Sequence, residues 1–206
     1  FLPKWHHDKV GSSSHVHQSL WKNGENAFYD PADKFGMSKV MKYYMAGLLS
    51  YTSDITFFLA PYVNSYKRFA KGTFAPTRII WSVDNRTAGF RLCGAGSKSV
   101  RVECRIGGSD MNPYLAIAAQ IAAGIAGIEN KLLLDEPAKG DVYQGNTKMI
   151  PASLREAKDA LSASEMLKSA FGEDVVKHYC RAAEVELEEF DRVVTDWEIA
   201  RGFERA

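Results

Sequence analysis

The chain has 206 residues, of which 46% are hydrophobic and 25% charged, a balance typical of a globular protein with one sizeable core. The formal net charge is +1, so bulk charge indicates neither a nucleic acid nor an acidic surface as partner. Three widely spaced cysteines form no C-x-x-C pair, which argues against a disulfide framework and a structural zinc site. We therefore expect a cytoplasmic setting.

The first residues, FLPKWHH, resemble the interior of a domain and contain no secretory leader. We therefore expect a fragment that lacks an N-terminal portion. The longest apolar stretch, 114–128, is interrupted by a glutamine and two glycines. It falls short of a membrane span and predicts a buried helix instead.

The first third of the chain predicts one strand, one helix and one loop. Residues 11–21 alternate in polarity after a run of small residues, which is typical of a strand. Apolar residues at helical spacing predict a helix over 37–59. Proline and glycine interrupt 60–76, where we expect a loop with about one helical turn.

Three strands should follow, because β-branched and aromatic residues are concentrated there. Their predicted ranges are 78–84, 88–93 and 99–106, and we expect them to pair as antiparallel neighbours. Asn112 then caps a helix that has proline at its first position and runs to about residue 134.

The last part of the chain is predicted to be helical. Capping-box patterns begin at Ser153 and Ser162. One long amphipathic helix is expected over 173–203. Because strands come first and helices follow, the predicted fold class is α+β.

Two histidines offer a possible metal or phosphate site. His15 and His17 are two residues apart, so on a strand their side chains share one face. Paired imidazoles can bind a metal ion or contact a phosphate group. A solvated pair, or one satisfied within the core, is the alternative.

The strand 99–106 presents Arg101, Glu103 and Arg105 on one face and apolar side chains on the other. These charges could form cross-strand ion pairs. Alternatively, the carboxylate could bind a metal while the guanidinium groups bind anions.

Residues 67–105 hold nine basic and only two acidic residues. If the predicted strands pair, this stretch forms a cationic cleft able to hold a polyphosphate, although a solvated basic face is the alternative. The chain has no P-loop and no G-x-G-x-x-G motif, so side chains rather than a glycine loop would hold a nucleotide.

Together, several segments resemble the glutamine synthetase family in content and order. They are GSSSHVHQSL, NSYKRF, DNRTAGFRL, RVECRI and DMNPYLA. The resemblance implies that 1–206 is a C-terminal catalytic domain. It also implies an antiparallel sheet that forms an active-site cleft, helices that cover it, and a helical C-terminus.

The resemblance implies a role for each matching residue. The residues implied to bind the metal ion are His15 and Glu103. Those implied to contact the nucleotide are His17, Ser19, Arg86, Arg91, Lys98 and Arg101. Those implied to contact glutamate are Gly11, Arg68 and Arg105. Catalytic roles are implied for Arg68 and for Arg86, which would lie close to the transferring phosphoryl group.

The implied reaction joins the γ-carboxylate of glutamate to an amine through a γ-glutamyl phosphate, with ATP as co-substrate and Mg²⁺ or Mn²⁺ as the metal. The implied assembly is a dodecamer-like double ring with active sites between subunits. Neither a nucleic acid nor a membrane is expected as partner.

One departure from the family pattern bears on the substrate. Phe74 stands in KGTFAP, the flap (residues 71–76), where ammonia-using members carry a glutamate. Phenylalanine cannot accept a proton, but it can line an apolar amine pocket. We therefore expect an organic amine as substrate. The alternatives are an ordinary glutamine synthetase that uses ammonia and a catalytically silent homologue.

Two further departures are local. Val10 precedes Gly11 where the family has asparagine, so a polar group near the substrate is lost. The segment around Tyr143 resembles the region of the adenylylated tyrosine in some bacterial members, but the surrounding loop is not reproduced. We do not predict that modification.

Overall fold

The computed structural model of the chain describes residues 1–144 and 146–205. The described strands are β1 Val16–Gln18, β2 Trp21–Lys22, β3 Glu25–Asn26, β4 Trp81–Val83, β5 Phe90–Cys93 and β6 Arg101–Cys104. The described α-helices are α1 Lys39–Ser50, α2 Thr52–Leu59, α3 Val63–Tyr66, α4 Pro113–Glu129, α5 Leu154–Ala163, α6 Glu165–Phe171, α7 Glu173–Asp191 and α8 Asp196–Glu204. This content agrees with the predicted α+β class.

Four strands form a sheet in the order β1-β6-β5-β4, and β2 and β3 form a separate hairpin. Strand β6 is antiparallel to both β1 and β5, whereas β4 and β5 are parallel. The expectation of antiparallel neighbours over 78–106 is therefore wrong for β4. The loop 84–89 returns the chain to the start of β4, where Phe90 pairs with Trp81, so β5 runs in the same direction as β4.

The strands are also shorter than predicted. The range 11–21 contributes only β1 and an isolated bridge between Ser13 and Gly108. Within the predicted range 99–106, the observed strand is β6, Arg101–Cys104. The alternation of faces nevertheless holds, because Val102 and Cys104 are buried in the core beneath the charged face.

The helix predicted over 37–59 is two helices, α1 and α2, which meet at Tyr51. At the junction the Thr52 hydroxyl donates to the Leu48 carbonyl over 2.7 Å, a side-chain bond that commonly bends helices. The predicted cap of α4 is confirmed, since the Asn112 side chain accepts from the Tyr114 amide over 3.0 Å. That helix ends at Glu129, before residue 134, because Lys131 adopts a positive φ of 50°.

Two C-terminal expectations need correction. The single helix over 173–203 is interrupted after Asp191, and α8 begins with a reciprocal capping box between Thr195 and Glu198. The cap predicted at Ser162 lies at Ser164, whose hydroxyl accepts from the Leu167 amide over 3.2 Å.

Helices α1 and α4 cross at glycines. A Cβ atom on Gly47 would lie 2.8 Å from the Gly127 backbone, and one on Gly124 would overlap the Tyr44 ring. The outer face of α4 remains exposed at Tyr114, Ile117, Ile121 and Ile125. The buried helix predicted over 114–128 is therefore buried on one face only. Within the described ranges, no helix has the length and apolarity to cross a membrane.

The glycine crossing gives a stability prediction. We expect Gly47→Ala to lower the free energy of unfolding by about 1–2 kcal/mol, because overpacking outweighs the gain in helix propensity. Gly202→Ala is the matched control, since nothing lies within 4 Å of its added Cβ, and it should stabilise by up to about 1 kcal/mol. Urea unfolding measures both variants. Equal stabilisation by the two alanines would contradict the close crossing.

Candidate active site

The candidate site is built around the Glu103 carboxylate on strand β6. Its side chain is only 3% exposed. Because β6 lies between β1 and β5, a side chain of β5 and the side chain that precedes β1 both reach Glu103. His15 Nδ1 lies 3.0 Å from Glu103 Oε1, and Arg91 donates to Oε2 over 3.0 Å. Arg105, which directly follows β6, donates to Oε1 over 3.0 Å.

These contacts determine the charge states at the centre. Burial opposes ionisation of Glu103, but the hydrogen bond from Arg91 and the charge of Arg105 outweigh it, so the pKa of this carboxyl group is lowered. Burial and the neighbouring Arg105 lower the pKa of His15. The centre at neutral pH therefore combines an ionised carboxylate with a neutral imidazole.

A second histidine and a third arginine lie beside this centre. His17 Nε2 is 3.6 Å from Glu103 Oε1, and Arg101 donates to His17 Nδ1 over 3.2 Å. The hydroxyl of Ser13 lies 3.1 Å from His15 Nε2. The expected proximity of His15 and Glu103 is confirmed, whereas their binding of a metal stays a prediction.

Arg105 connects two loops to the Glu103 centre. It is 5% exposed, and its Nε donates to the Arg86 carbonyl over 3.2 Å. Its Nη2 lies within 3.5 Å of the Phe74 carbonyl in the flap. The site therefore includes the flap and the Arg86 loop (residues 84–89) through one guanidinium group.

Arg68 lies close enough to this centre for its charge to act on His15. It is 3% exposed and donates to the Ile106 carbonyl, while its buried Nε has no partner among the described residues. Burial lowers the pKa of Arg68 to about 10. A Cβ on Gly11 would lie 2.7 Å from Arg68 Cγ, so glycine is required there for this arginine to fit.

Among the described residues, the side chains of some predicted site residues form no hydrogen bond or ion pair with the Glu103 centre. The Ser19 hydroxyl accepts from Trp21 Nε1 over 2.9 Å. The side chains of Lys98 and Arg86 are exposed, and the Phe74 ring is 61% exposed. Phe74 has a positive φ of 56°, an uncommon and strained conformation for a bulky residue.

Sequence reasoning missed several residues that support the site. Asp84 accepts from Arg91 Nε over 2.9 Å, and Asn85 Nδ2 donates to the Gly140 carbonyl over 2.8 Å. The Tyr143 hydroxyl donates to the Ala75 carbonyl over 3.0 Å. The turn-forming run DNRT indicates a structured loop, but nothing local in the sequence identifies its distant partners.

A family model described as the catalytic domain of glutamine synthetase matches residues 1–202. The chain belongs to the glutamine synthetase family. The resemblance stated from the five sequence segments is thereby confirmed, and the described mixture of helices with a small sheet is that of a glutamine synthetase catalytic domain.

Two kinds of relative are similar to this chain. A gamma-glutamylethanolamide synthetase of Streptomyces coelicolor is 46% identical over 206 residues, which is all of this chain and 44% of that protein. Glutamine synthetases of Thermotoga maritima and Thermus thermophilus are 38% and 39% identical over 209 residues, covering 98% of this chain and 48% and 47% of those proteins. The chain thus spans less than half the length of these relatives.

The cation-lined carboxylate gives a prediction for this glutamine synthetase catalytic domain. Glu103→Gln should lower the free energy of unfolding by about 3 kcal/mol, because the guanidinium groups of Arg91 and Arg105 lose their counter-charge in a buried place. The matched control is Glu165→Gln, an exposed partner of Lys168, which should change stability by less than about 0.5 kcal/mol. Denaturant unfolding compares them. Similar losses in both variants would contradict the burial of charge at Glu103.

Proposed function

We propose that this chain is the C-terminal catalytic part of an ATP-dependent ligase that joins the γ-carboxylate of glutamate to an organic amine. The observation that carries the proposal is the Glu103 centre, where one buried carboxylate contacts His15, Arg91 and Arg105. An excess of guanidinium groups beside a metal-type donor pair suits phosphoryl transfer, which depends on alignment and charge stabilisation.

His15 and Glu103 would hold the divalent metal. Their chemistry fits, because the carboxylate is ionised and the lowered pKa of His15 leaves an imidazole lone pair available. Oxygen donors with one imidazole favour Mg²⁺ or Mn²⁺. When bound there, such an ion would offset the charge of the ATP phosphates. About six ligands are usual for Mg²⁺, so other donors must complete the set.

Different arginines would bind different anionic groups of the substrates. Arg91 and Arg101 lie beside the Glu103 centre and suit nucleotide phosphates, as do His17, Ser19 and Lys98 by resemblance. Arg86 would stabilise the transferring phosphoryl group. Arg68, whose buried Nε has no partner within the described ranges, would bind a carboxylate of glutamate beside Gly11. Arg105 would assist there while it holds the two loops.

Phe74 is the residue from which we propose that the amine is organic. The ring is exposed on a flap whose backbone contacts Arg105, so it can cover the body of an incoming amine. The similar protein named as a gamma-glutamylethanolamide synthetase supports an organic amine. Because other similar proteins are named as glutamine synthetases, ammonia is the second candidate for the nitrogen substrate.

The proposal extends to the assembly. Members of this family form oligomers, and we propose a double ring in which active sites lie between subunits. The chain spans less than half the length of its relatives, so further metal ligands and substrate contacts would come from the rest of the protein.

The metal assignment is testable on the full-length protein. His15→Ala should raise the Mg²⁺ or Mn²⁺ concentration required for half-maximal activity by about tenfold or more, the least effect expected when a ligand site is disturbed. His178→Ala is the matched control, because His178 is an exposed histidine of α7. Titration of ATP-dependent phosphate release with each metal measures the change. An unchanged requirement in His15→Ala would refute the assignment.

The amine preference is testable by kinetics. With ATP, glutamate and a panel of amines, we expect kcat/KM to be higher for an organic amine than for ammonia. Burial of about 50 Å² of apolar surface against Phe74 is worth about 1.2 kcal/mol, or nearly tenfold. Phe74→Glu should shift the preference toward ammonia, whereas Phe203→Glu, at an exposed ring of α8, should not. A higher kcat/KM for ammonia than for every organic amine would contradict the proposed amine preference.

Absence of phosphate release with every substrate would instead favour the alternative that the protein is a catalytically silent homologue.

A further inference from the structure

The segment 140–144 connects the flap with the Arg86 loop. Tyr143 is 5% exposed, and its hydroxyl donates to the Ala75 carbonyl over 3.0 Å. Three residues earlier, the Gly140 carbonyl accepts from Asn85 Nδ2 over 2.8 Å. One short segment therefore binds the backbone of the flap on one side and a side chain of the Arg86 loop on the other.

The segment itself is held by further bonds. The Tyr143 amide donates to Asp141 Oδ1 over 3.0 Å, and Arg78 Nε donates to the Tyr143 carbonyl over 3.4 Å. The Val142 amide lies 3.4 Å from Thr87 Oγ1. These bonds leave the tyrosine ring little freedom, so its hydroxyl is a fixed point for the flap.

The flap needs such a fixed point. Phe74 has a positive φ of 56°, which a bulky residue adopts only when its surroundings enforce it. The carbonyls of Phe74 and Ala75 are consecutive, and they accept from Arg105 and Tyr143 respectively. Burial raises the pKa of the Tyr143 hydroxyl, so it remains a protonated donor at neutral pH.

We propose that Tyr143 is a positioning residue that holds the flap across the Arg86 loop and thereby keeps water from the acyl phosphate. The proposal rests on the proposed function, because it concerns the same intermediate. Tyr143 acts through the Ala75 carbonyl and touches no reacting atom. Its hydroxyl sets where the strained backbone of Phe74 lies relative to Arg105 and Arg86.

The chemistry explains why position matters. In the productive reaction the amine nitrogen attacks the acyl carbon, and the bond from that carbon to the phosphate oxygen breaks with its electron pair on the phosphate. The released phosphate takes up the proton that the amine nitrogen loses. Water can attack the same carbon and break the same bond. It then yields glutamate and inorganic phosphate, with the water oxygen in the carboxylate. A displaced flap admits water, so ATP is consumed without amide formation.

The test uses the full-length protein and measures γ-glutamyl amide formed per ATP hydrolysed. We expect Tyr143→Phe, which keeps the ring, to lower this ratio by about two- to tenfold, the range given by loss of one hydrogen bond. Tyr114→Phe is the matched control, because that tyrosine is 85% exposed, and its ratio should equal that of the parent. A purely structural role would reduce the amount of active enzyme and leave the ratio unchanged.

Hydrogen exchange supplies a second measurement that does not need activity. Backbone amides in the flap should exchange about two- to tenfold faster in Tyr143→Phe, whereas those of α1 should not change. An unchanged ratio in an active enzyme, or unchanged flap exchange, overturns the inference. If the parent protein makes no amide with any amine or ammonia, the proposed function fails, and flap exchange alone then decides whether Tyr143 holds the flap.

Discussion

The site depends on one physical constraint, which is that the buried charge of Glu103 must be paired. An ionised carboxylate that is 3% exposed is costly to bury unless charged or hydrogen-bonding groups surround it. Because β6 lies between β1 and β5, they come from β5, from the residue before β1 and from the residue after β6. Arg91, Arg105 and His15 are therefore held in one place by the same carboxylate.

Arg105 links the Glu103 centre to two surrounding loops. Its guanidinium group reaches Glu103 and His15 on one side and the carbonyls of Arg86 and Phe74 on the other. The flap and the Arg86 loop are thus both bonded to the residue that directly follows β6. The flap gains a second support from Tyr143, which explains how Phe74 is kept in an unfavourable backbone conformation.

The helices and the sheet share one hydrophobic core. Gly47 and Gly127 let α1 and α4 approach at backbone distance. The half-buried Gln18 donates through Nε2 to the buried Gln120 over 2.8 Å, and this bond ties α4 to β1. Strand β1, which carries His17, is therefore attached to α4. A displacement of α4 would also displace β1 and with it His17.

The sequence alone determined what local periodicity can encode. Alternation along 99–106 placed Arg101, Glu103 and Arg105 on one face, spacing placed His15 with His17, and Asn112 marked the start of α4. Tertiary structure decided what depends on distant partners. The parallel pairing of β4 with β5, the breaks at Tyr51 and after Asp191, and the bond from Tyr143 to Ala75 join or divide segments by non-local contacts. Residue patterns report which face a side chain takes, because that follows from backbone geometry. They carry no record of which segment, 68 residues away, will meet that face.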